Sequence, residues 1–156
     1  MMSSSRLFGA AFCAALAVSG CAPAPARSAD SQAEAPALVP LTIRTAKGAV
    51  AYKVEVARTA QEQARGLMYR TSLPDHGGMI FPMTPPRIAS FWMKNTYIPL
   101  DMIFIRADGT IARIAANTVP EDLSPVESGE PVAAVLEIVG GGAAANDIAE
   151  GDRVEW

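Results

Sequence analysis

The residues best suited to chemistry in this chain lie in one segment, from Phe91 to Asp101, which reads FWMKNTYIPLD. If the segment begins as a strand, alternate side chains share a face, so Trp92, Lys94 and Thr96 point the same way. An indole beside hydrogen-bonding groups can hold a sugar ring or another flat polar ligand. These three side chains and Asp101 are therefore predicted to form one wall of a binding cleft.

The same segment has a purely structural interpretation. Asn95 and Asp101 are residue types that hydrogen-bond the backbone of tight turns. Lys94 is close enough in sequence to pair with Asp101 across a hairpin. Under this alternative the segment shapes a turn and binds nothing. Exposure of Trp92 would favour the cleft, with Asn95 as a further ligand-binding candidate, and burial of Trp92 would favour the turn.

Two arginines flank Gly66-Leu67-Met68 and provide a second candidate binding feature. Guanidinium groups bind carboxylates and phosphates, so Arg65 and Arg70 could add an anion-binding edge to the cleft. Alternatively, arginines at the end of a helix satisfy its last carbonyl groups. The sequence leaves both interpretations open.

Catalysis would have to depend on carboxylates. Asp101 and Glu137 are the candidate acid and base of an enzyme acting on envelope glycans, because such enzymes place two carboxyl groups roughly 5–10 Å apart in one cleft. Glu137 lies in an apolar run, where burial would raise its pKa. By strand alternation it could instead face solvent or pair with a basic residue such as Arg113.

Other catalytic and metal-binding groups are scarce. His76, the only histidine, lies in a Pro-Asp-His-Gly-Gly loop and is expected to be a solvated surface residue. No zinc, calcium or phosphate-binding pattern is found, so no catalytic residue, metal site or cofactor is predicted. Copper(I) binding by thioethers is an alternative, although methionines commonly fill irregular cores. The five methionines concerned are Met68, Met79, Met83, Met93 and Met102.

The start of the chain is typical of an exported lipoprotein. Arg6 precedes an apolar run, and Ser19-Gly20 then places small residues directly before Cys21. A secretory signal has this order, with an apolar stretch of about 7–15 residues. We therefore expect residues 1–20 to be a signal peptide and Cys21 to be acylated. An ordinary signal cut after a later alanine is the alternative.

The expected location is the periplasmic face of a membrane, with the outer membrane favoured because Ala22 follows the acylated cysteine. Residues 21–37 are rich in alanine and proline and are predicted to be a solvated tether. Residues 38–156 are predicted to be one globular domain, long enough to build a single core.

The charge balance excludes some partners. Of 13 basic and 16 acidic side chains, one basic residue would be lost with the signal, which leaves a net charge of −4. Nucleic acid is therefore not an expected partner. Adhesion to anionic lipid is not expected either, so the membrane is predicted to be contacted through the lipid anchor only. An unknown small molecule or envelope protein is the expected partner.

Short alternating segments separated by turn signals predict a mainly β fold. The fold class is an antiparallel β-sandwich or partly closed barrel with one or two short accessory helices. Thr59 and Glu62 form a capping box that predicts the first helix. Pro85-Pro86 and the acidic loop 120–131 are predicted to interrupt strands. The predicted strands are 41–44, 50–56, 79–83, 90–94, 101–106, 110–119, 132–139 and 153–156.

Six motifs occur in an order that resembles one family. They are RGLMYR at 65–70, GMIF at 78–81, FWMKNT at 91–96, IPLD at 98–101, VLE at 135–137 and GD at 151–152. Over nearly the whole predicted domain the chain resembles the domain of unknown function 192 family. The resemblance implies a compact, antiparallel β-sandwich-like domain that is frequently exported in bacteria. It implies no activity.

The function favoured by these observations is a non-enzymatic module of the cell envelope that binds a ligand or a partner. A glycan-processing enzyme using Asp101 and Glu137 is the first alternative. Copper binding by the methionines is the second.

Overall fold

A computed structural model describes residues 37–156. The predicted signal peptide, Cys21 and nearly all of the predicted tether lie outside the described residues. The described part contains seven strands and two short helices. In chain order they are β1 (Leu38–Thr45), β2 (Gly48–Val56), α1 (Ala60–Arg65), β3 (Gly77–Phe91), β4 (Leu100–Ile105), β5 (Ile111–Thr118), β6 (Val126–Val139), α2 (Gly142–Ala145) and β7 (Arg153–Glu155).

The strands form one curled sheet in the order β5-β4-β6-β3-β2-β1-β7. Neighbouring strands are antiparallel except β2 and β3, which run parallel. The two edges of the sheet meet where Ile111 N–H donates to the Asp152 carbonyl and Val154 N–H donates to the Gly109 carbonyl, both at 2.8 Å. The predicted mainly β, partly closed barrel is therefore confirmed, with two short helices.

Two strands are longer than the sequence predicts. β3 continues through Pro85-Pro86, where a break was expected, and β6 begins at Val126, inside the predicted acidic loop. The pairing of β3 with β6 shifts register between Pro82 and Arg87. Because no ladder hydrogen bond is required within that shift, prolines are tolerated there.

The sheet has a core on each face. One core centres on Ile80, Ile103, Leu136 and Ile138, and the other contains Phe81, Met102, Phe104 and Val135. Successive residues of a strand alternate between faces, so central strands covered on both sides are buried throughout. All six residues of β4 are buried, Asp101 included. This arrangement determines which face each candidate site residue occupies.

Helix α1 begins at the predicted capping box, where Thr59 accepts from the Glu62 N–H and the Glu62 carboxylate accepts from the Thr59 N–H. It ends at Gly66, which has φ 48° and ψ −133°. A Cβ at Gly66 would lie 3.3 Å from the Phe81 ring, and side chains disfavour positive φ. Glycine therefore allows the chain to turn sharply over the second core and into residues 67–70.

Candidate functional site

A cavity of about 310 Å³ lies between the end of α1 and the outer half of β3. Residues 63–68 form one side, and residues 87 and 89–92 form the other. Phe81 and Met83 contribute an apolar lining, and Glu137 reaches the cavity from β6. None of the helices in residues 37–156 is long and apolar enough to span a membrane.

Glu137 is the buried ionisable group of this cavity. Its residue is 4% exposed, and burial raises the pKa of its carboxyl to about 8. No hydrogen bond from residues 37–156 reaches the carboxyl, so desolvation acts without opposition. The buried alternative for Glu137 is thus confirmed. The solvent-facing alternative and the pair with Arg113 are wrong, because Arg113 donates to the Glu127 carbonyl instead.

The cations at the cavity are Arg65 and Arg87, both of which are exposed. Arg70 is not among the lining residues. Its guanidinium binds the Glu55 carboxylate at 2.5 and 2.7 Å, so the prediction that Arg70 contributes to the same anion-binding edge is wrong. Arg87 replaces it. No local pattern indicates Arg87 as a site residue, because it follows the two prolines that are expected to end the strand.

Trp92 borders the cavity and is 50% exposed. The Lys94 Nζ lies 5.1 Å from the centre of its ring, a cation–π arrangement. Both residues lie in the turn after β3, because the strand ends at Phe91. The Met93 N–H donates to the Asp122 carbonyl instead of continuing the pairing of β3. The predicted strand through Lys94 is wrong, and so is the predicted ion pair between Lys94 and Asp101.

Asn95 and Thr96 hold this turn together. Asn95 adopts φ 53°, its carbonyl accepts from the Tyr69 N–H at 2.8 Å, and its Nδ2 donates to the Tyr69 hydroxyl at 2.9 Å. Thr96 is buried, and its hydroxyl donates to the Lys94 carbonyl at 3.2 Å. These contacts join the FWMKNT turn to the RGLMYR turn. Asn95 therefore shapes the site, while Thr96 also lines the cavity.

Asp101 serves the backbone. One carboxylate oxygen accepts from the Asn117 N–H at 2.8 Å and the Gly141 N–H at 3.0 Å, and the other accepts from the Ala143 N–H at 2.8 Å. It is fully buried and binds backbone amides as the structural interpretation expects, but these amides belong to β5 and to the residues after β6 rather than to the turn of its own segment. It does not line the Trp92 cavity, and its assignment to that cleft wall is wrong.

Asp101 and Glu137 do not form a catalytic pair. They lie on adjacent strands, where Asp101 is opposite Ile138 and Glu137 is opposite Met102. Ile138 belongs to one core and Met102 to the other, so the two carboxyls point to opposite faces of the sheet. The arrangement required by a two-carboxylate glycosidase is absent from this pair.

The methionines are mostly part of a core. Met79, Met83, Met93 and Met102 are buried with Phe81, Phe104 and Val135 in the second core. The Met93 sulfur accepts from the Thr118 hydroxyl at 3.1 Å, and the Met68 sulfur accepts from Asn95 Nδ2 at 3.8 Å. Within residues 37–156 there is no group of three His, Cys, Asp or Glu side chains that could hold a metal ion.

His76 differs from the expected solvated residue. Its ring lies 5.1 Å from the Tyr52 ring and is only partly exposed. Its carbonyl accepts from the Lys53 N–H, which helps to join the start of β3 to β2. His76 is not one of the residues that line the cavity.

Two solved structures are similar to this chain. A protein of unknown function from Novosphingobium aromaticivorans DSM 12444 is 51% identical with a TM-score of 0.75, over 76% of this chain and 85% of that chain. A protein from Sinorhizobium meliloti 1021, described as a candidate transcription regulator, is 40% identical with a TM-score of 0.75, over 78% of this chain and 95% of that chain. A search of curated proteins found no match.

The family model of domain of unknown function 192, described as "Uncharacterized ACR", matches residues 42–156. This range includes both turns of the candidate site and the strand that carries Glu137. The chain therefore belongs to the domain of unknown function 192 family.

Proposed function

We propose that this protein is a non-enzymatic binding module of the cell envelope, anchored through lipid at Cys21, and that its cavity binds a small anionic ligand. The observation that carries the proposal is the unpaired Glu137 carboxyl in the cavity. Buried polar groups are nearly always hydrogen-bonded, so one that opens into a cavity without a protein partner suits an external partner.

The protonation of Glu137 determines what that partner must offer. With a pKa of about 8, the carboxyl is mostly neutral at neutral pH. A neutral carboxyl has an O–H donor. The ligand group at this depth is therefore a hydrogen-bond acceptor, such as a carbonyl, ether or hydroxyl oxygen.

The rim supplies the remaining recognition. Arg65 and Arg87 favour a carboxylate or phosphate at the mouth of the cavity. The exposed Trp92 face and the apolar Phe81 and Met83 lining favour a flat or apolar body between the two polar ends. A volume of about 310 Å³ is at the lower end of small-molecule sites.

Binding without catalysis fits this geometry better than an enzyme does. Asp101 is committed to three backbone amides on the other face of the sheet, which leaves Glu137 as the single acidic group lining the cavity. A role in transcription, which the description of the Sinorhizobium relative names, does not suit this chain. A chain with more acidic than basic side chains is a poor match to nucleic acid.

Ligand binding is tested by thermal unfolding of the mature protein against carboxylated and phosphorylated envelope sugars and peptides. A ligand that binds only the native state raises the melting temperature. The proposal requires that the increase be lost in Glu137→Leu and reduced in Arg87→Gln. Arg153→Gln, which removes an exposed arginine from β7, is the matched control and should keep the full increase. An equal increase in all variants would contradict this site.

The anchor is tested separately by mass spectrometry of the protein isolated from membranes. A mature N-terminus at Cys21 carrying acyl chains is expected, and Cys21→Ala should abolish both the acylation and the membrane association. An intact N-terminal segment on soluble protein would contradict the anchor and leave the cavity proposal to its own test.

A further inference from the structure

Exposed apolar side chains cluster beside the cavity. Of nine large hydrophobic residues exposed within residues 37–156, five lie in three neighbouring loops. We call these five the aromatic patch: Tyr69, Trp92, Tyr97, Val119 and Leu123. Scattered surface apolar residues are normal, whereas a contiguous patch indicates an interaction surface.

The three loops are held against one another. The Tyr69 and Tyr97 rings meet edge to face with centroids 6.2 Å apart. The Glu121 N–H donates to the Thr96 carbonyl at 3.1 Å, which fixes the loop carrying Val119 and Leu123 to the turn carrying Trp92. Trp92 and Leu123 also line one small cavity of about 190 Å³. The patch is thus a built surface rather than a set of independent side chains.

The tether enters the domain on the side that carries Tyr69. Leu38, the first residue of β1, lies opposite Glu55 of β2, and the Glu55 carboxylate binds Arg70. Directly opposed side chains are about 4.5–5.5 Å apart. Since Tyr69 precedes Arg70, these contacts connect the point where the tether enters to one member of the aromatic patch.

The length of the predicted tether limits how far the domain can move from its anchor. The 16 residues from Ala22 to Ala37 can span at most about 53–58 Å. The end of the domain that carries the predicted tether would therefore stay within that distance of the membrane, at high effective concentration.

The charges around the patch select the type of lipid. Lys94 above Trp92 and Arg65 and Arg87 at the cavity mouth are exposed cations, while Glu121 and Asp122 are exposed acids in the adjoining loop. Three positive and two negative charges nearly cancel, and the chain has more acidic than basic side chains, so attraction to an anionic surface is weak. Tyrosine and tryptophan side chains have an apolar body and a polar tip, which suits the interface of a bilayer. The chemistry matches zwitterionic headgroups.

We propose that the aromatic patch docks on the zwitterionic lipid surface that holds the Cys21 anchor. The inference rests on the lipid anchor of the proposed function and adds a second contact to it. Docking places Trp92, and with it the mouth of the cavity, at the headgroup level. A ligand would then enter from the lipid interface rather than from bulk solvent.

The test uses the mature lipoprotein in phosphatidylcholine–phosphatidylethanolamine vesicles containing lipids brominated high on the acyl chain. Trp92 and Trp156 are the two tryptophans of the chain. In Trp156→Phe, the emission of Trp92 should lie to the blue of that of a water-exposed tryptophan, as expected of an interfacial indole, and bromination should roughly halve its intensity. Tyr97→Ser in that background should reduce the quenching, and added salt should not.

Trp92→Phe provides the reference, because Trp156 follows β7 and lies outside the aromatic patch. Its emission should be quenched less than that of Trp92, although β7 pairs with β1, the strand that the tether enters. Absence of quenching of Trp92 in acylated protein would overturn the docking alone, and equal quenching of both tryptophans would overturn the orientation. Absence of acyl chains on Cys21 would overturn the anchor and the docking together. Dimers that bury Trp92 without quenching would assign the patch to a second copy.

Discussion

The two buried acids of the sheet, Asp101 and Glu137, form an instructive contrast. They lie on neighbouring strands, one residue apart in register, and both are almost fully buried. Asp101 accepts three backbone hydrogen bonds, whereas Glu137 receives none from the described residues. Asp101 is enclosed by the backbone segments that it binds, whereas Glu137 lines a cavity.

The difference shows how burial alone can mislead. A buried carboxylate that accepts several hydrogen bonds stabilises the fold, and its removal leaves buried donor groups without an acceptor. A buried carboxyl without partners costs stability, and the raised pKa of Glu137 is the signature of that cost. Similar burial therefore indicates structure in one case and a binding site in the other.

Removing the satisfied acid should have the largest effect. Asp101→Ala leaves the buried amides of Asn117, Gly141 and Ala143 without their acceptor, and we expect a loss of about 3–5 kcal/mol in the free energy of unfolding. Chemical denaturation measures it. The control is Asp147→Ala, which breaks an exposed pair with Lys47 and should cost about 1 kcal/mol or less. Equal losses in the two variants would refute the assigned role of Asp101.

The unsatisfied acid should instead make stability depend on pH. The native state holds the Glu137 proton up to its raised pKa of about 8, whereas the unfolded chain releases it near 4.5. Because the native state binds more protons in this window, the free energy of unfolding should fall by on the order of 3 kcal/mol between about pH 5 and about pH 8. Glu137→Gln should remove that component.

Other carboxylates contribute an opposite slope at lower pH. The pKa values of Glu62, Asp108 and Asp122 are lowered by hydrogen bonds to their loops, so their stabilisation is lost as pH falls. The difference between wild type and Glu137→Gln isolates the buried group. Glu127→Gln, an exposed change on the same strand, should leave the profile as in wild type. If the stability of Glu137→Gln depended on pH in the same way as that of wild type, a strongly raised pKa of Glu137 would be excluded.

An apolar replacement should sharpen the contrast further. Glu137→Leu removes an unpaired polar group at similar volume, and we expect the protein to gain about 1–2 kcal/mol at pH 8 while losing ligand binding. Asp101→Leu should do the reverse and destabilise the fold. Denaturation at pH 8 compares the two variants. A loss of stability in Glu137→Leu would indicate that the carboxyl has a structural partner.

The rim residues should have the smallest effect on stability. Arg87→Gln alters an exposed side chain, so its free energy of unfolding should stay within about 0.5 kcal/mol of wild type. Trp92→Ala removes an indole that is 50% exposed and should cost about 1 kcal/mol. Their ligand affinities should fall, which calorimetric titration with the ligand from the thermal screen would measure. A variant that loses stability but keeps its ligand affinity would show that the replaced residue, Trp92 or Arg87, supports the fold and does not contact the ligand.

The sequence predicted the features that depend on local chemistry. The capping box at Thr59 and Glu62 and the helix it starts are confirmed, because N-cap hydrogen bonds are made within a few residues. The mainly β fold is also confirmed, since short alternating segments have few other stable arrangements. A backbone-binding role for Asp101 is among the alternatives, but its three amide partners lie in β5 and after β6, far along the chain, and were not predictable.

The failures arise where tertiary contacts override the local pattern. Alternating apolar and polar residues reveal the buried face of a strand only when its other face is exposed to solvent. Here both faces of the central strands are covered by a core. The burial of Glu137 could not be decided for this reason. Trp92 and Thr96 were assigned one face of a strand that ends at Phe91. Arg87 was missed because a register shift allows the strand to pass Pro85-Pro86.

The joined edges of the sheet have a consequence for how copies of this protein coexist. At the outer edge of β5, the Ile111 N–H is taken by the Asp152 carbonyl and the Ile114 N–H by the Glu150 carboxylate. Amide groups that are already occupied cannot template the strand of a neighbouring molecule. We therefore expect crowded copies to resist intermolecular strand addition, even though the domain contains no cysteine with which to form a stabilising cross-link.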